Sequence, residues 1–325
     1  MSDAPATGPA PAVSLVIAVL TFRRPADIMA ALPMLVAQAE TVRTADFRVS
    51  VCVIDNDAGE SARDPVLEFA ARSPVPVRYA AEPEPGISAA RNRALAEAEG
   101  EGDDLLVFID DDERPTAGWL RSLLDVHRER GCAAVVGPVI SEYETYPESW
   151  IEAGEFFVRR RMPTGSRLEV AATNNLLLDL RQVRQHGLTF DPAFGIGGGG
   201  DTLFTRTLHK LGGEMVWCDE AVVIDVVPTS RLTRSWVTRR AFRSGNSWSL
   251  TSLALCDSGS ERIAVRVRST LQGLVRLLGG LARLVIGLLT RSLGQRARGV
   301  RTVARGAGMI SGAWGYSYLE YRRPG

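Results

Sequence analysis

Three consecutive carboxylates, Asp110, Asp111 and Asp112, follow an apolar run at residues 105–109 in the stretch FIDDDERP. An apolar run opened by Asp103 and Asp104 and ended by charge reads as a buried strand of an α/β sheet. Open α/β sheets bind their ligands at the carboxyl ends of the strands. Three anions this close need a counter-cation. A hard divalent ion, Mg or Mn, held by one or two carboxylates plus substrate phosphates, matches that donor set. The chemistry implied is the handling of a nucleotide diphosphate. The plainer alternative is an acidic turn that ends a strand and caps the next helix.

Four further segments carry residues suited to phosphates, sugars or bases. The first ends a strand at residues 13–22 in LTFRRP. Thr21, Arg23 and Arg24 then stand at a sheet edge, where a hydroxyl and guanidinium groups meet phosphate oxygens. A second strand, residues 49–55, ends in IDNDAGES, where Asp55 and Asn56 can hydrogen-bond a pyrimidine edge or a ribose. A third, residues 77–82, leads into EPGISAARNRAL. Gly86 allows a tight turn, Ser88 is the expected N-cap, and Arg91 lies in the first turns of a helix whose amino end favours anions. Lastly, GIGGGGDTLF, residues 195–204, presents Asp201 at a helix start. Each of these also has an ordinary reading as a turn or a cap.

Helical patterns at residues 25–38, 64–71, 88–99 and 117–130 alternate with these strands and with a fifth at 133–140. That β-α repeat predicts an α/β fold with a mostly parallel, doubly wound sheet. The regularity then fades. Residues 143–166 are aromatic and charged, the composition of a pocket-shaping loop. A strand is expected at 170–178 and a strand pair at 215–228, with Trp217 in the core.

The formal charge is balanced, 38 basic against 38 acidic residues, but it is unevenly spread. From Pro228 onward there are 17 arginines and three acidic residues. A basic segment of this kind meets phosphates, nucleic acid or an anionic membrane. Arg276 and Arg283, then Arg291, Arg298 and Arg305, recur at intervals of seven, close to two helical turns. They predict a basic amphipathic helix or hairpin suited to an anionic membrane surface, the alternative being a helix packed on the catalytic domain with its arginines in water. No uncharged apolar run of 18 residues is present, so no membrane-spanning helix is expected. The four cysteines lack metal-type spacing and read as reduced core thiols of a cytoplasmic protein. The Pro/Ala-rich residues 1–12 read as a disordered leader without the basic start of a signal peptide.

In order, LTFRRP, IDNDA, EPGISAARNRAL, FIDDDERP, GGGGDTLF and RLTRSWVTRRAFRSG resemble the family 2 glycosyltransferases, in particular the bacterial exopolysaccharide subgroup that includes succinoglycan glucosyltransferases. The resemblance covers residues 13–245. It implies the glycosyltransferase-A fold, Rossmann-like with a mostly parallel central sheet, here with a helical basic C-terminal extension at 246–325. It implies a sugar transferred with inversion from a nucleotide-diphosphate donor, a UDP-sugar, to a saccharide or lipid-linked acceptor, with no nucleic acid partner. By the same resemblance Thr21, Arg23, Asp55, Asn56, Arg91 and Asp111 bind donor, and Asp110 and Asp112 hold the metal, Asp112 most closely. Asp201 is the general base, and Arg239, Arg240 and Arg243 clamp the diphosphate. Two positions depart from the pattern: Gly200 stands where relatives carry Glu, and Asn56 where many carry a second Asp. A nucleotidyltransferase would place a glycine-rich, lysine-bearing signature after the first strand, and LTFRRP lacks it. A non-catalytic binding protein on the same fold is supported by Gly200 and opposed by the intact Asp110, Asp112 and Asp201.

Overall fold

The first strand, β1 (Val13–Thr21), is apolar from Leu15 to Leu20 because both of its faces are covered. Its Leu15, Ile17 and Val19 join one core with helix α1 (Pro25–Val42) and helix α4 (Trp119–Arg130). Its Val16, Ala18 and Leu20 join the other with helix α3 (Ile87–Gly100) and helix α7 (Gly200–Lys210). Burying one such side chain stabilises the fold by roughly 1.5–3 kcal/mol. The computed structural model describes residues 13–195 and 197–318. The expected leader at 1–12 and Ile196 of the glycine-rich loop lie outside the described residues.

The main sheet has eight strands. Its parallel half runs β3 (Val77–Ala81), β2 (Phe47–Asp55), β1, β4 (Leu105–Asp110). It continues with β9 (Asn175–Asp179), antiparallel to both neighbours, then β6 (Ala134–Val136), β10 (Met215–Trp217) and the short β8 (Arg167–Leu168). The expected α/β class and mostly parallel central sheet are both present.

Two expected strands divide. Residues 133–140 break at Gly137 into β6 and β7 (Val139–Tyr143), and β7 belongs to a second sheet, β5 (Glu113–Pro115), β11 (Val223–Val227), β7. The late pair splits likewise, β10 into the main sheet and β11 into the small one. Gly137 is required at the break. A Cβ there would lie 2.1 Å from the Ala221 carbonyl oxygen and 2.4 Å from Asn175 Nδ2. The acidic turn is therefore held at both ends, by β4 before it and by β5 after it. The four cysteines are free, three of them buried, and burial pushes the Cys52 thiol up to about 12.

Helix α8 (Arg234–Ala254) runs unbroken through the boundary expected after Gly245, because it belongs to both parts. It packs on α10 (Leu293–Ala313), which pairs with α9 (Gly259–Leu289) as a hairpin. The seams are glycine. Gly273, Gly280 and Gly287 recur every seven residues on the buried side of α9 and bring its backbone against that of α10. A Cβ at Gly308 would meet the Phe242 carbonyl oxygen of α8 at 1.9 Å. Gly308→Val should therefore force the helices apart and cost at least about 1–3 kcal/mol, the usual scale of overpacking. Urea denaturation checks this; an unchanged midpoint would mean the seam is not tight.

The arginine stripe divides between the protein and solvent. Arg276 and Arg305 line a cavity between the helices, and Arg298 pairs with Glu155 at 2.9 Å. Arg276 and Arg298 are half-buried, but Arg283, Arg291 and Arg305 are exposed, so the stripe packs on the protein only in part. The outward side of α9 is apolar instead: Val275 is 69% and Leu278 67% exposed. An 18-residue stretch of α9 has a mean hydropathy of 1.5, so this helix is long and apolar enough to cross a membrane by length and composition. Interrupting arginines hid that property from a search for uncharged runs.

Candidate active site

Strand register brings the candidate residues to one edge. Thr21 ends β1 opposite Asp55, which ends β2, and Asp110 ends β4 opposite Leu20. β9 starts from the same edge, with Asn175 opposite Ile109.

The four acids of the turn divide between two tasks. Asp111 is 5% exposed and accepts from Thr21 Oγ1 at 2.8 Å and from Arg24 Nη1 at 3.3 Å. Glu113 is 1% exposed and accepts from the Asp110 amide at 3.2 Å and from Asn174 Nδ2 at 2.6 Å. These two brace the turn from within. Asp112 keeps a side chain 21% exposed and faces two guanidiniums, Arg24 at 3.2 Å and Arg231 at 3.5 Å. Asp110 is half-buried. Burial pushes its carboxyl up to about 7; Arg91 opposes this and Asp112 and Asp111 add to it. Burial raises Asp111 to about 6, against the Thr21 hydrogen bond and Arg24, and raises Glu113 well above the carboxylate range. This is concentrated negative charge with little water to screen it.

Such a site favours a cation. Among the described residues no three His, Cys, Asp or Glu side chains form a ready-made metal cluster. Hard oxygens from Asp110 and Asp112, completed by ligand oxygens, fit the way Mg or Mn is held at phosphate sites.

Thr21 and Asp111 form one unit, so the Thr21 hydroxyl is engaged with protein rather than open to a phosphate. Asp111→Asn should cost about 1.5–3 kcal/mol, the scale of a hydrogen bond to a charged group. A thermal melt that did not fall would remove Asp111 from the bracing role.

Asp55 is fully buried. It accepts from the Ala62 amide at 2.9 Å, the Tyr79 hydroxyl at 3.0 Å and the Asp57 amide at 3.2 Å. In this arrangement its carboxylate shapes the loop after β2. Asn56 does similar work. It donates to the Glu82 and Glu84 carbonyls at 2.8 and 2.6 Å and accepts from the Gly86 amide at 3.1 Å. An Asp could not donate to those carbonyls, so the departure at Asn56 has a local reason. Arg23, in the left-handed region at φ 54°, reaches Asp57 at 3.2 Å, a pairing that sequence spacing did not suggest.

Arg91 is 8% exposed and lies over the Phe190 ring at 5.5 Å. Its helix begins at Ile87 after Gly86, whose φ of 126° only glycine adopts readily. Gly86 is thus the cap, and Ser88, expected there, is buried with an unpartnered hydroxyl. The start of α3 also anchors the segment carrying Asp201. Asn92 bonds both the Phe190 amide and carbonyl at 2.8 Å, and the Ile87 amide donates to the Gly195 carbonyl at 3.3 Å. Gly198 and Gly199 then turn in the left-handed region against α8. Asp201 follows, half-buried in the first turn of α7, with Oδ1 accepting from the Thr202 amide at 2.8 Å. The segment before residue 319 returns over this loop; Asn246 Nδ2 donates to the Tyr316 carbonyl at 2.7 Å.

The three expected clamp arginines sit in different surroundings. Arg239 is exposed, and Arg243 lies beside Gly198. Arg240 packs on Trp236 and Phe157, at 5.1 and 5.9 Å from their centroids. Burial, with Arg159 and Arg243 adding to it, lowers Arg240 to about 10. Sequence reasoning missed Arg231 and Arg159. Arg231 opens the arginine-rich motif but was given no role there, and Arg159 comes from a stretch with no motif, placed by its 2.5 Å pair with Asp225, the register partner of Glu113. It also missed Asn175, which ties the Trp119 indole at 2.8 Å to the Pro138 and Ala221 carbonyls.

The family model "Glycosyl transferase family 2" matches residues 16–178. The "Succinoglycan biosynthesis protein ExoM" of Rhizobium meliloti (strain 1021) is 35% identical over 231 residues, 71% of this chain and 72% of that protein. Among solved structures, the mannosyltransferase PcManGT from Pyrobaculum calidifontis, in complex with GDP-Man and Mn2+, superposes with a TM-score of 0.62 at 13% identity, covering 92% of this chain and 87% of that one. S. aureus TarS 1-349 in complex with UDP gives 0.51 at 13% identity, covering 95% and 97%. At that identity the structures speak for the fold, and they share the glycosyltransferase-A-like architecture. The chain belongs to glycosyl transferase family 2, in a subgroup resembling the succinoglycan enzymes, and is a glycosyltransferase of polysaccharide biosynthesis.

Proposed function

We propose that the chain transfers a sugar, with inversion, from a UDP-sugar to a saccharide or lipid-linked acceptor. The observation that carries this is the division of labour in the acidic turn. Asp111 and Glu113 are spent on holding the strand end, which leaves Asp110 and Asp112 facing Arg91, Arg24 and Arg231. Fixed cations around two ligating carboxylates suit a diphosphate. Mn or Mg bound there supplies charge stabilisation for the leaving diphosphate. Arg91, Arg24 and Arg231 orient the phosphates, and Asp201, at the amino end of α7, takes the proton from the acceptor hydroxyl as it attacks the anomeric carbon. The exposed apolar side of α9 supports a peripheral place on the cytoplasmic face of the membrane, beside a lipid-linked acceptor.

A thermal-shift screen of nucleotide sugars tests the donor, because a ligand of the native state raises the melting point. A UDP-sugar should give the largest rise, and Mn or Mg should increase it. A GDP-sugar as the best ligand would overturn the UDP assignment. The second reading, a binding protein of reduced activity, rests on Gly200; it would be supported by donor binding with no donor hydrolysis under any metal.

A further inference from the structure

Four arginines meet around a cavity of about 410 Å³ among the helices that follow the sheets. Arg240 comes from α8, Arg276 from α9, and Arg301 and Arg305 from α10, with Phe156, Thr302 and small or apolar residues of α8 completing the wall. Among the described residues no carboxylate lines it. The two acids that act on its arginines are committed elsewhere: Glu155 to Arg298 at 2.9 Å, and Asp225 to Arg159 at 2.5 Å. Arg301 donates to the Glu155 carbonyl at 2.9 Å and lies over the Phe156 ring at 5.7 Å. Arg276 donates weakly to its own helix, to the Gln272 carbonyl at 3.3 Å.

Arg276, Arg301 and Arg305 repel one another unless an anion joins them, while the Arg240 guanidinium sits nearer Arg159 and Arg243 at the edge of this group. Burial and the neighbouring arginines hold both Arg301 and Arg305 below the usual arginine range, Arg301 despite the pull of Glu155. The glycine seams fix this convergence. A Cβ at Gly306 would lie 3.0 Å from Arg276 Cβ, and one at Gly245 would lie 2.0 Å from the Arg305 carbonyl oxygen, so the helices that carry these arginines cannot separate without breaking their packing. Planar guanidiniums match multi-oxygen anions in pairs, and phosphoryl groups are their usual ligands. The volume falls in the range of small-molecule sites.

We propose that this cavity binds a phosphoryl anion, phosphate or diphosphate, at a second site separate from the carboxylate turn. The site does not depend on the donor assignment, since none of Asp110, Asp111 and Asp112 lines it. The anion is either free or the head of a lipid-linked molecule. Arg276 shares α9 with the exposed apolar side, which favours the lipid-linked source.

Calorimetric titration of inorganic pyrophosphate into the full chain tests this. In metal-free buffer, which removes the cation that a diphosphate needs at the carboxylate turn, the wild-type protein and Asp112→Asn should bind alike. Arg276→Gln/Arg305→Gln should bind at least about tenfold more weakly, the loss expected for charge-assisted contacts. The double variant should keep UDP binding, which reports an intact fold and donor site. Should it fail to fold, Arg301→Gln alone gives the same reading, and pyrophosphate should raise the melting point of wild type more than that of the variant. Geranyl diphosphate binding tighter than pyrophosphate would identify the lipid-linked source, and equal affinity the free anion. Equal pyrophosphate affinity in wild type and the cavity variant, loss only in Asp112→Asn, or a response to phosphatidylglycerol vesicles with neither diphosphate bound would each overturn the site. Failure of UDP to bind any form would count against the donor assignment alone.

Discussion

Asp112→Asn is expected to lower turnover by at least about 10³-fold while leaving the melting point close to wild type. Several kcal/mol of leaving-group stabilisation is the usual contribution of a catalytic divalent ion, and each 1.36 kcal/mol is tenfold in rate. Of the turn's acids, Asp112 is the one most open to a ligand while still aimed at Arg24 and Arg231. Neutralising it removes an anionic oxygen without touching the bracing hydrogen bonds of Asp111 and Glu113. Asp111→Asn should show the opposite pattern, with stability falling more than rate. Turnover is measured with Mg and with Mn supplied, beside a thermal melt. Wild-type turnover in Asp112→Asn would sink the metal assignment, and a large loss of stability would show that Asp112 belongs with the bracing acids.

How much of this was legible in the sequence depends on whether a residue's task is local. Strand ends were readable because apolar runs closed by charge have one physical solution, a buried strand meeting solvent. The turn at Asp110–Asp112 and the helix carrying Arg91 followed from that. The partners of those residues were not readable. Asp55 looks like a donor ligand at a strand end, yet three donors within 30 residues of it claim its carboxylate. Arg231 and Arg159 reach the turn from loops, where the chain carries no periodicity to read. The tail shows the limit most plainly. Seven-residue spacing identified a stripe of arginines correctly, but glycines share the same spacing. Those glycines take the buried seam, with Arg276 half-buried beside it, and leave Arg283 outside with the leucines and valines. Spacing names the members of a face; packing decides which face is covered.

Asp201→Asn should leave UDP-sugar affinity nearly unchanged and lower turnover by about 10²-fold or more, the scale of losing a general base. Asp201 sits in the first turn of α7. The loop that α3 anchors leads into it from the donor side. Donor binding and proton removal are thus carried by different elements, and the substitution should separate them. Equal losses in affinity and rate would assign Asp201 to binding instead. The neighbouring departure can be tested in the same assay. Gly200 abuts the buried Ser88, whose unpartnered hydroxyl would lie 2.9 Å from a Cβ at that position. Gly200→Glu alone should therefore displace Ser88, and Ser88→Gly should relieve the contact. If the Ser88→Gly/Gly200→Glu pair turns over much faster than wild type, the natural chain is attenuated at this position. If the pair is no faster, Asp201 acts here without a carboxylate beside it.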